Sequence, residues 1–187
     1  GLDRLLGGGP QHGAQARAHA WRMLEEAKRR GFCREIGVSN YALHLLQEME
    51  SYAAEMPAVH ELEVHPRYQP REVLTYCRER GIHVIGYGNG VSLDGGTAGS
   101  LVAEVARRSG RTPSQVLLRW AVQRNITVLP RSSRPQRIAE NSQIFDFELS
   151  EQEMSALDGL GEPSPFYWDT AKLAAEPPGG GPRRPRQ

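Results

Sequence analysis

The chain has 187 residues, 39% of them hydrophobic, which is long enough for one domain with a buried core. Its 23 Lys and Arg residues nearly balance 22 Asp and Glu residues, and a net charge of +1 argues against nucleic-acid or membrane binding. No apolar run approaches the length of a membrane span. The two cysteines, Cys33 and Cys77, are too sparse for a disulfide scaffold, which predicts buried thiols in the reducing cytoplasm. The N-terminus has neither an initiating Met nor the layout of a signal peptide, so we expect the chain to begin partway through a larger protein.

Strands and helices are predicted to alternate along the chain. Apolar runs bounded by turn residues predict a weak strand at 2–6 and clear strands at 34–38, 58–64, 82–87 and 126–129. Apolar residues at helical spacing predict a helix at 14–30 and a second that carries Leu45, Leu46 and Met49. A third helix is opened by Pro70 and ended by Gly81. Four more are predicted around Leu101–Ala106, from Thr112 through Ala121, from near Pro135, and after Ser150 with Met154 and Leu157. Capping boxes at Thr112 and Ser150 begin two of these helices, and the glycine-rich run 88–99 predicts a loop.

This alternation predicts an α/β fold, in which helices cover a parallel sheet. A doubly wound sheet normally carries a GxGxxG phosphate loop after its first strand, and the chain has none there. In a (β/α)8 barrel, phosphate often binds after the last two strands instead. Such a barrel needs eight strands, and this chain supplies four clear ones and one weak one, so we predict a partial (β/α)8 TIM barrel over residues 1–160. Residues 161–187 are predicted to form a C-terminal tail that is disordered toward its basic end.

A basic turn follows the last predicted strand. Its arginines recur at every third position: Arg131, Arg134 and Arg137. Pro135 suits the first position of the next helix, and Ser132 or Ser133 is expected to cap it. Free N–H groups, the positive end of the helix dipole and three guanidiniums together predict an anion site with phosphate as its ligand. For the arginines taken alone, a solvated basic turn is the alternative.

Polar and aromatic residues also stand at the carboxyl ends of earlier strands. Ser39 and Asn40 offer a hydroxyl and an amide, and Tyr87 offers a ring that can stack on a planar ligand. A helix N-cap is the alternative role for Ser39 or Asn40.

The strand at 58–64 carries several ionisable residues. Alternation places Glu61, Glu63 and His65 on one face and His60, Leu62 and Val64 on the other. Charged groups inside a barrel are costly without partners, which predicts a bound polar group. Glu61 and Glu63 lie too close along one strand to flank a bond as glycosidase carboxylates do. A metal site from His60, Glu63 and His65 is disfavoured because His60 points away from the other two.

Several sequence phrases, in this order and spacing, resemble the second half of an aldo-keto reductase: GFCREIGVSNY, PAVHELEVHPRYQPREVLTYCRERGIHVIGYG, TPSQVLLRWAVQRNITVLPRSS, RIAEN and FELSEQEM. The resemblance runs from about residue 20 to residue 160, and YWD at 167–169 is similar to a C-terminal phrase of some members. Because these motifs are in register, the chain is identified as a member of that family. The resemblance implies roughly strands 4–8 of the barrel and an NADPH-dependent oxidoreductase acting on aldehydes and ketones.

The resemblance also implies nine cofactor-binding residues: Ser39, Asn40, Glu61, Tyr87, Arg131, Ser132, Arg137, Glu140 and Asn141. The first three match positions that hydrogen-bond the nicotinamide carboxamide, and Tyr87 matches the ring that stacks on the nicotinamide. Arg131, Ser132 and Arg137 match the grip on the adenosine 2′-phosphate, which selects NADPH over NADH. Glu140 and Asn141 match contacts to the adenine.

Three departures from the family pattern affect these roles. The family usually has Asn-Gln where this chain has His60-Glu61, and an ionised Glu61 can only accept a hydrogen bond. Arg131 replaces a usual Lys and keeps the positive charge. Gly88-Asn89-Gly90 replaces the Ser that usually follows the stacking Tyr.

The family's catalytic groups are not found in this chain. Its Tyr, Lys and Asp would precede residue 1, and Gly8 stands where its His belongs, so no catalytic residue is predicted. We therefore expect a truncated reductase that acts on a small-molecule carbonyl substrate only when completed by an N-terminal half. A catalytically silent nucleotide-binding or interaction module is the alternative. The isolated chain is expected to bind NADPH weakly, to reduce no generic aldehyde and to self-associate through its open barrel edge.

Overall fold

The computed structural model describes residues 13–89, 96–161, 165 and 167. The chain divides into two compact units, the first holding residues 1–62, 71–83 and 167–187 and the second holding residues 63–70 and 84–166. The predicted strand at 2–6, Gly8, part of the loop at 88–99 and most of the tail lie outside the described residues.

The first unit is built on a helical layer and two short strands. It contains α1 (Ala14–Arg29), β1 (Gly37–Ser39), α2 (Leu43–Met49), most of β2 (Val59–Glu63) and α3 (Arg71–Glu79). Its core is apolar and includes Trp21, Leu45, Leu46, Met49 and Cys77. The Arg17 guanidinium donates to both carboxylate oxygens of Glu48, at 3.0 and 2.6 Å, which fastens α1 to α2.

The second unit packs its helices around α5. It contains β3 (His83–Tyr87) from Val84 on, α4 (Gly96–Ser109), α5 (Pro113–Gln123), β4 (Thr127–Val128), α6 (Pro135–Ser142) and α7 (Glu151–Asp158). Most of α5 is buried, including Val116, Leu118 and Trp120. Both predicted capping boxes are present, at Thr112 before α5 and at Ser150 before α7.

The strands lie in the sheet in the order β1-β2-β3-β4. β1 pairs with β2 in parallel, with Ser39 opposite Glu61, and β3 pairs with β4 in parallel. Gly37 permits the close approach of β1 to β2, because a Cβ there would lie 2.5 Å from the carbonyl oxygen of Val59. Parallel strands alternating with helices confirm the predicted α/β fold.

Two strand predictions need correction. The strand predicted at 34–38 is observed at Gly37–Ser39, where pairing with β2 begins at Gly37 opposite Val59. The strand predicted at 126–129 is limited to Thr127–Val128. The Leu129 N–H still donates to the carbonyl of Gly86, at 3.2 Å.

The predicted burial of both cysteines is half right. Cys77 is fully buried, whereas Cys33 is only partly buried because it lies in the turn after α1, and both thiols are free. Within the described ranges, no helix is both long and apolar enough to cross a membrane.

Candidate functional site

The first unit brings together three of the nine predicted site residues. Ser39 ends β1 directly opposite Glu61 of β2. Asn40 then turns the chain with φ of 59°, and its N–H donates to the carbonyl of Glu61 at 2.8 Å. Residues that carry a hydroxyl, an amide and a carboxylate therefore lie together at the carboxyl end of this strand pair.

The alternative role of Ser39 and Asn40 as a helix cap is not what the structure shows. α2 begins at Leu43, its N-cap is Ala42, and no side chain caps it. Asn40 instead adopts a left-handed conformation that Asn tolerates better than most residues. Neither of the two polar side chains is used to cap α2.

His60 shows which face of β2 Glu61 occupies. The His60 ring is fully buried, its Nε2 accepts from the Tyr41 N–H at 3.1 Å, and its Nδ1 lies 3.6 Å from Sγ of Cys77 on α3. Successive side chains of a strand point to opposite faces, so Glu61 lies on the face away from α3. Burial lowers the pKa of His60 to about 4 and raises the pKa of the Cys77 thiol to about 11.

The side chain of Glu61 is half-buried, and its carboxylate has no hydrogen-bond or ion-pair partner among the described residues. Other carboxylates of the first unit are engaged: Glu48 binds Arg17, and Glu55 binds Lys28. The Glu61 carboxylate is therefore open to a bound cation or hydrogen-bond donor.

Glu63 and His65 of the second unit form a buried pair of their own. The His65 Nε2 lies 3.0 Å from Oε1 of Glu63, and the Tyr68 N–H donates to the His65 Nδ1 at 3.2 Å. Both ring nitrogens are thus occupied, which gives this pair a structural role. Among the described residues, no group of three or more His, Cys, Asp or Glu side chains is arranged to hold a metal ion.

Tyr87 ends β3 with its ring half-buried. Its carbonyl accepts from the Val64 N–H at 3.2 Å. Gly88 then turns the chain with φ of 75°, and the side-chain amide of Asn89 donates to the Val64 carbonyl at 2.7 Å. Asn89 thereby continues the hydrogen bonding of the strand pair beyond Tyr87 with its side chain, in place of a backbone N–H.

Asn89 is a site-supporting residue that the sequence reasoning did not assign. It is buried, and its Oδ1 has no hydrogen-bond partner among the described residues. A Cβ at Gly86 would lie 2.9 Å from the Asn89 amide nitrogen, so the small residue makes room for it. An Asn between two glycines directly after a strand is the signal in the sequence that could have indicated this role.

The basic turn keeps its charges exposed. All three guanidiniums, those of Arg131, Arg134 and Arg137, lack hydrogen-bond and ion-pair partners within the described part of the chain. Pro135 is the first residue of α6, as predicted. The turn therefore presents three free cations where the chain leaves β4 and enters α6.

The predicted capping of α6 by Ser132 or Ser133 is wrong. Arg134 is the N-cap residue, and no side chain caps the helix. The Ser132 hydroxyl accepts instead from the Arg134 N–H at 3.1 Å, because two residues separate it from the helix start. The first N–H groups of α6 are left for a ligand or water, which suits an anion.

Glu140 and Asn141 hold α6 against α5. The Glu140 carbonyl accepts from Nε2 of Gln115 at 2.9 Å, and the Asn141 Oδ1 accepts from the Ser114 hydroxyl at 3.2 Å. The Glu140 carboxylate accepts from Gln136 at 3.0 Å within α6. Both residues remain partly exposed, and their contact with adenine stays a prediction.

Comparison with known proteins identifies the fold and the family. The model of the aldo/keto reductase family matches residues 12–92 and 93–162. Glyoxal reductase from Bacillus subtilis is 36% identical over 145 residues, which cover 76% of this chain and 51% of that protein. Aldo-keto reductase family 1 member A1 from Bos taurus is 36% identical over 151 residues, covering 76% of this chain and 46% of that protein. This chain spans about half the length of these relatives.

A solved structure leads to the same assignment. An aldo-keto reductase from a Medee basin deep-sea metagenome library superposes with a TM-score of 0.79 and 26% identity, covering 85% of this chain and 59% of that one. The predicted partial (β/α)8 barrel is thereby confirmed. Its parallel strands, its sequence motifs and its matched relatives agree, and the chain belongs to the aldo/keto reductase family.

Proposed function

We propose that this chain carries the cofactor-binding half of an NADP(H)-dependent oxidoreductase that converts aldehydes or ketones to alcohols. The observation that carries the proposal is the basic turn, where three unpaired guanidiniums lie at and around the start of an uncapped helix. Such a turn suits a phosphate with two negative charges. The adenosine 2′-phosphate, present in NADPH and absent from NADH, is the group that these arginines would select.

Residues of the nicotinamide end support the same proposal. Ser39, Asn40 and Glu61 present a hydroxyl, an amide and a carboxylate at one strand end, a set that suits a carboxamide. The Tyr87 ring, half-buried at the end of β3, suits stacking on a planar ring. The bound cofactor would supply the hydride, and these residues would orient its ring.

A small carbonyl compound is the proposed substrate class, because one relative is named as a reductase of glyoxal. Reduction of a carbonyl needs a proton donor at its oxygen, and no residue of this chain matches the family's acid. We therefore propose that the chain is inactive until an N-terminal half completes it. A cytoplasmic location and the absence of nucleic-acid and membrane partners belong to the same proposal.

Replacing Arg137 with Ala tests the phosphate assignment. We expect Arg137→Ala to weaken NADPH binding roughly tenfold, the effect of one lost charge-assisted hydrogen bond, and to leave NADH binding within about twofold. Fluorescence titration of the full chain with NADPH and with NADH measures the two dissociation constants. Arg78→Ala, which removes another exposed arginine from α3, is the matched control. An equal loss of affinity for both nucleotides would contradict the assignment.

A catalytically silent nucleotide-binding module is the second candidate. It is favoured by one observation of the sequence, that Gly8 stands where the resemblance places the family's His. Both candidates predict nucleotide binding, and they differ in whether addition of an N-terminal half yields turnover.

A further inference from the structure

We propose that the Glu61 carboxylate makes this site prefer the oxidised, positively charged nicotinamide over the reduced, neutral one. The inference rests on the proposed function and deepens it, because it assigns a charge preference to the nicotinamide end. Three points support the inference: the position of Glu61, the lack of a hydrogen-bond or ion-pair partner for its carboxylate among the described residues, and the positive charge of the oxidised nicotinamide ring.

The placement of Glu61 puts its side chain beside the other carboxamide-binding groups. Ser39 and Glu61 are register partners, and side chains of paired residues in neighbouring parallel strands lie on the same face, about 4.8 Å apart along the hydrogen-bonding direction. The Asn40 N–H donates to the Glu61 carbonyl at 2.8 Å, which fixes the backbone between them. The opposite face of β2 is taken by His60, which packs on Cys77. A ligand held by Ser39 and Asn40 therefore lies next to the Glu61 side chain.

The missing partner of Glu61 leaves its charge uncompensated. Three cations of the first unit are already paired with other carboxylates: Arg17 with Glu48, Lys28 with Glu35 and Glu55, and Arg80 with Glu50. The carboxylate of Glu61 has no partner among the described residues and is half-buried. A partly desolvated carboxylate without a cation gains more from a positive ligand than from a neutral one.

The two forms of the cofactor differ in charge at the ring but share their phosphates and carboxamide. A hydrogen bond from the carboxamide NH2 to Glu61 is available to both forms and does not distinguish them. The charge of the ring distinguishes the two forms. A unit charge about 5 Å from a carboxylate in a partly solvated site would make the affinity for the oxidised form roughly tenfold higher than that for the reduced form. An uncharged Gln side chain at this position would not distinguish the two ring charges.

A preference for the oxidised ring has a consequence for the direction of the chemistry. By a thermodynamic cycle, tighter binding of the oxidised form shifts the equilibrium between the two bound forms by the same factor. The bound reduced cofactor thereby becomes a better hydride donor. Glu61 is thus assigned as a residue that favours carbonyl reduction over the reverse reaction.

Dissociation constants for NADP+ and NADPH, measured by calorimetric titration of the full chain, test this inference. In Glu61→Gln, we expect the ratio of the NADPH constant to the NADP+ constant to fall roughly tenfold, mostly through weaker NADP+ binding. Glu79→Gln is the matched control, because it removes the same charge at the end of α3, just before β3 begins. A change of less than about twofold in Glu61→Gln, or an equal change in Glu79→Gln, overturns the inference.

A second measurement needs no variant. Raising the salt concentration should lower the ratio of the NADPH dissociation constant to the NADP+ dissociation constant in the wild type, because screening weakens the attraction between Glu61 and the charged ring. The phosphates are common to both nucleotides, so their screening does not change this ratio. A ratio that does not change with salt overturns the inference.

Adenosine 2′,5′-bisphosphate separates this inference from the proposed function. It lacks the nicotinamide, so we expect Glu61→Gln to leave its affinity unchanged and Arg137→Ala to weaken it. If neither dinucleotide nor the bisphosphate binds the wild type, the proposed function fails and the inference fails with it. If all three bind and only the ratio is insensitive to Glu61→Gln, the inference alone fails.

Discussion

His60 of β2 is fully buried, and burial decides its chemistry. Its Nε2 accepts the Tyr41 N–H, so the ring proton lies on Nδ1 and points toward the Cys77 sulfur. A second proton would have to go to Nε2, where the Tyr41 N–H already points. Burial without a compensating carboxylate therefore lowers the pKa of His60 from 6.5 to about 4.

This depressed pKa makes the stability of the fold depend on pH. The unfolded chain takes up the proton near pH 6.5, whereas the folded chain resists it until about pH 4. The free energy of unfolding therefore keeps its full contribution from neutral His60 above pH 6.5. It falls by about 3 kcal/mol as the pH falls from 6.5 toward 4.

Replacing His60 with Asn removes the titrating group and keeps an acceptor for the Tyr41 N–H. We expect the free energy of unfolding of the wild type to fall between pH 7 and pH 4 by about 3 kcal/mol more than that of His60→Asn. Urea denaturation followed by circular dichroism at several pH values measures this difference. Parallel pH profiles for the two proteins would contradict the assignment.

At the scale of elements, β4 and α6 present the basic turn and also an unprotected strand edge. β4 comprises only Thr127–Val128 and, among the described residues, pairs only with β3. Leu129 is 49% exposed, Ile138 on α6 is 54% exposed, and no residue of α6 is buried. An open strand edge beside exposed apolar side chains favours pairing with another chain.

We expect the isolated chain to self-associate through this edge. Size-exclusion chromatography over a range of concentrations should show species larger than a monomer, and Leu129→Lys should shift them toward the monomer, because a lysine at a strand edge disfavours pairing. Met23→Lys makes the same change at a side chain of α1 that is 57% exposed and should leave the elution unchanged. A wild type that elutes as a compact monomer at every concentration would count against this prediction.

At the scale of the whole molecule, the chain corresponds to about half of an aldo-keto reductase. The described residues supply the proposed cofactor contacts, and none of them matches the catalytic Tyr, Lys, Asp or His of the family. Binding without chemistry is therefore the behaviour that we propose for the chain alone.

An activity assay with glyoxal and NADPH tests this behaviour. We expect the purified chain to consume no NADPH above background, because none of the described residues matches the family's proton donor to the carbonyl oxygen. A complete aldo-keto reductase in the same assay is the positive control. NADPH consumption that increases in proportion to the concentration of this chain would refute the prediction, and turnover that appears only after an N-terminal half is added would favour the reductase over the silent module.

Local patterns in the sequence were sufficient for the alternation of helices and strands, both capping boxes and Pro135 at the start of α6. Each depends on residues within a few positions of one another, so short-range sterics and hydrogen bonding determine them. The matching motifs were also sufficient for the family, because they are read along the chain in order.

Only the tertiary structure decided which polar groups are engaged and which are free. Two contacts join residues 17 or more positions apart: that of His60 with Cys77, and the hydrogen bond from the Asn89 side chain to the Val64 carbonyl. The unpaired state of the Glu61 carboxylate likewise depends on which side chains of other elements lie near it. The same holds for the left-handed turn at Asn40, which is held by the Glu61 carbonyl. Burial and pairing set the charge and direction of such groups, and both depend on neighbours that folding brings together.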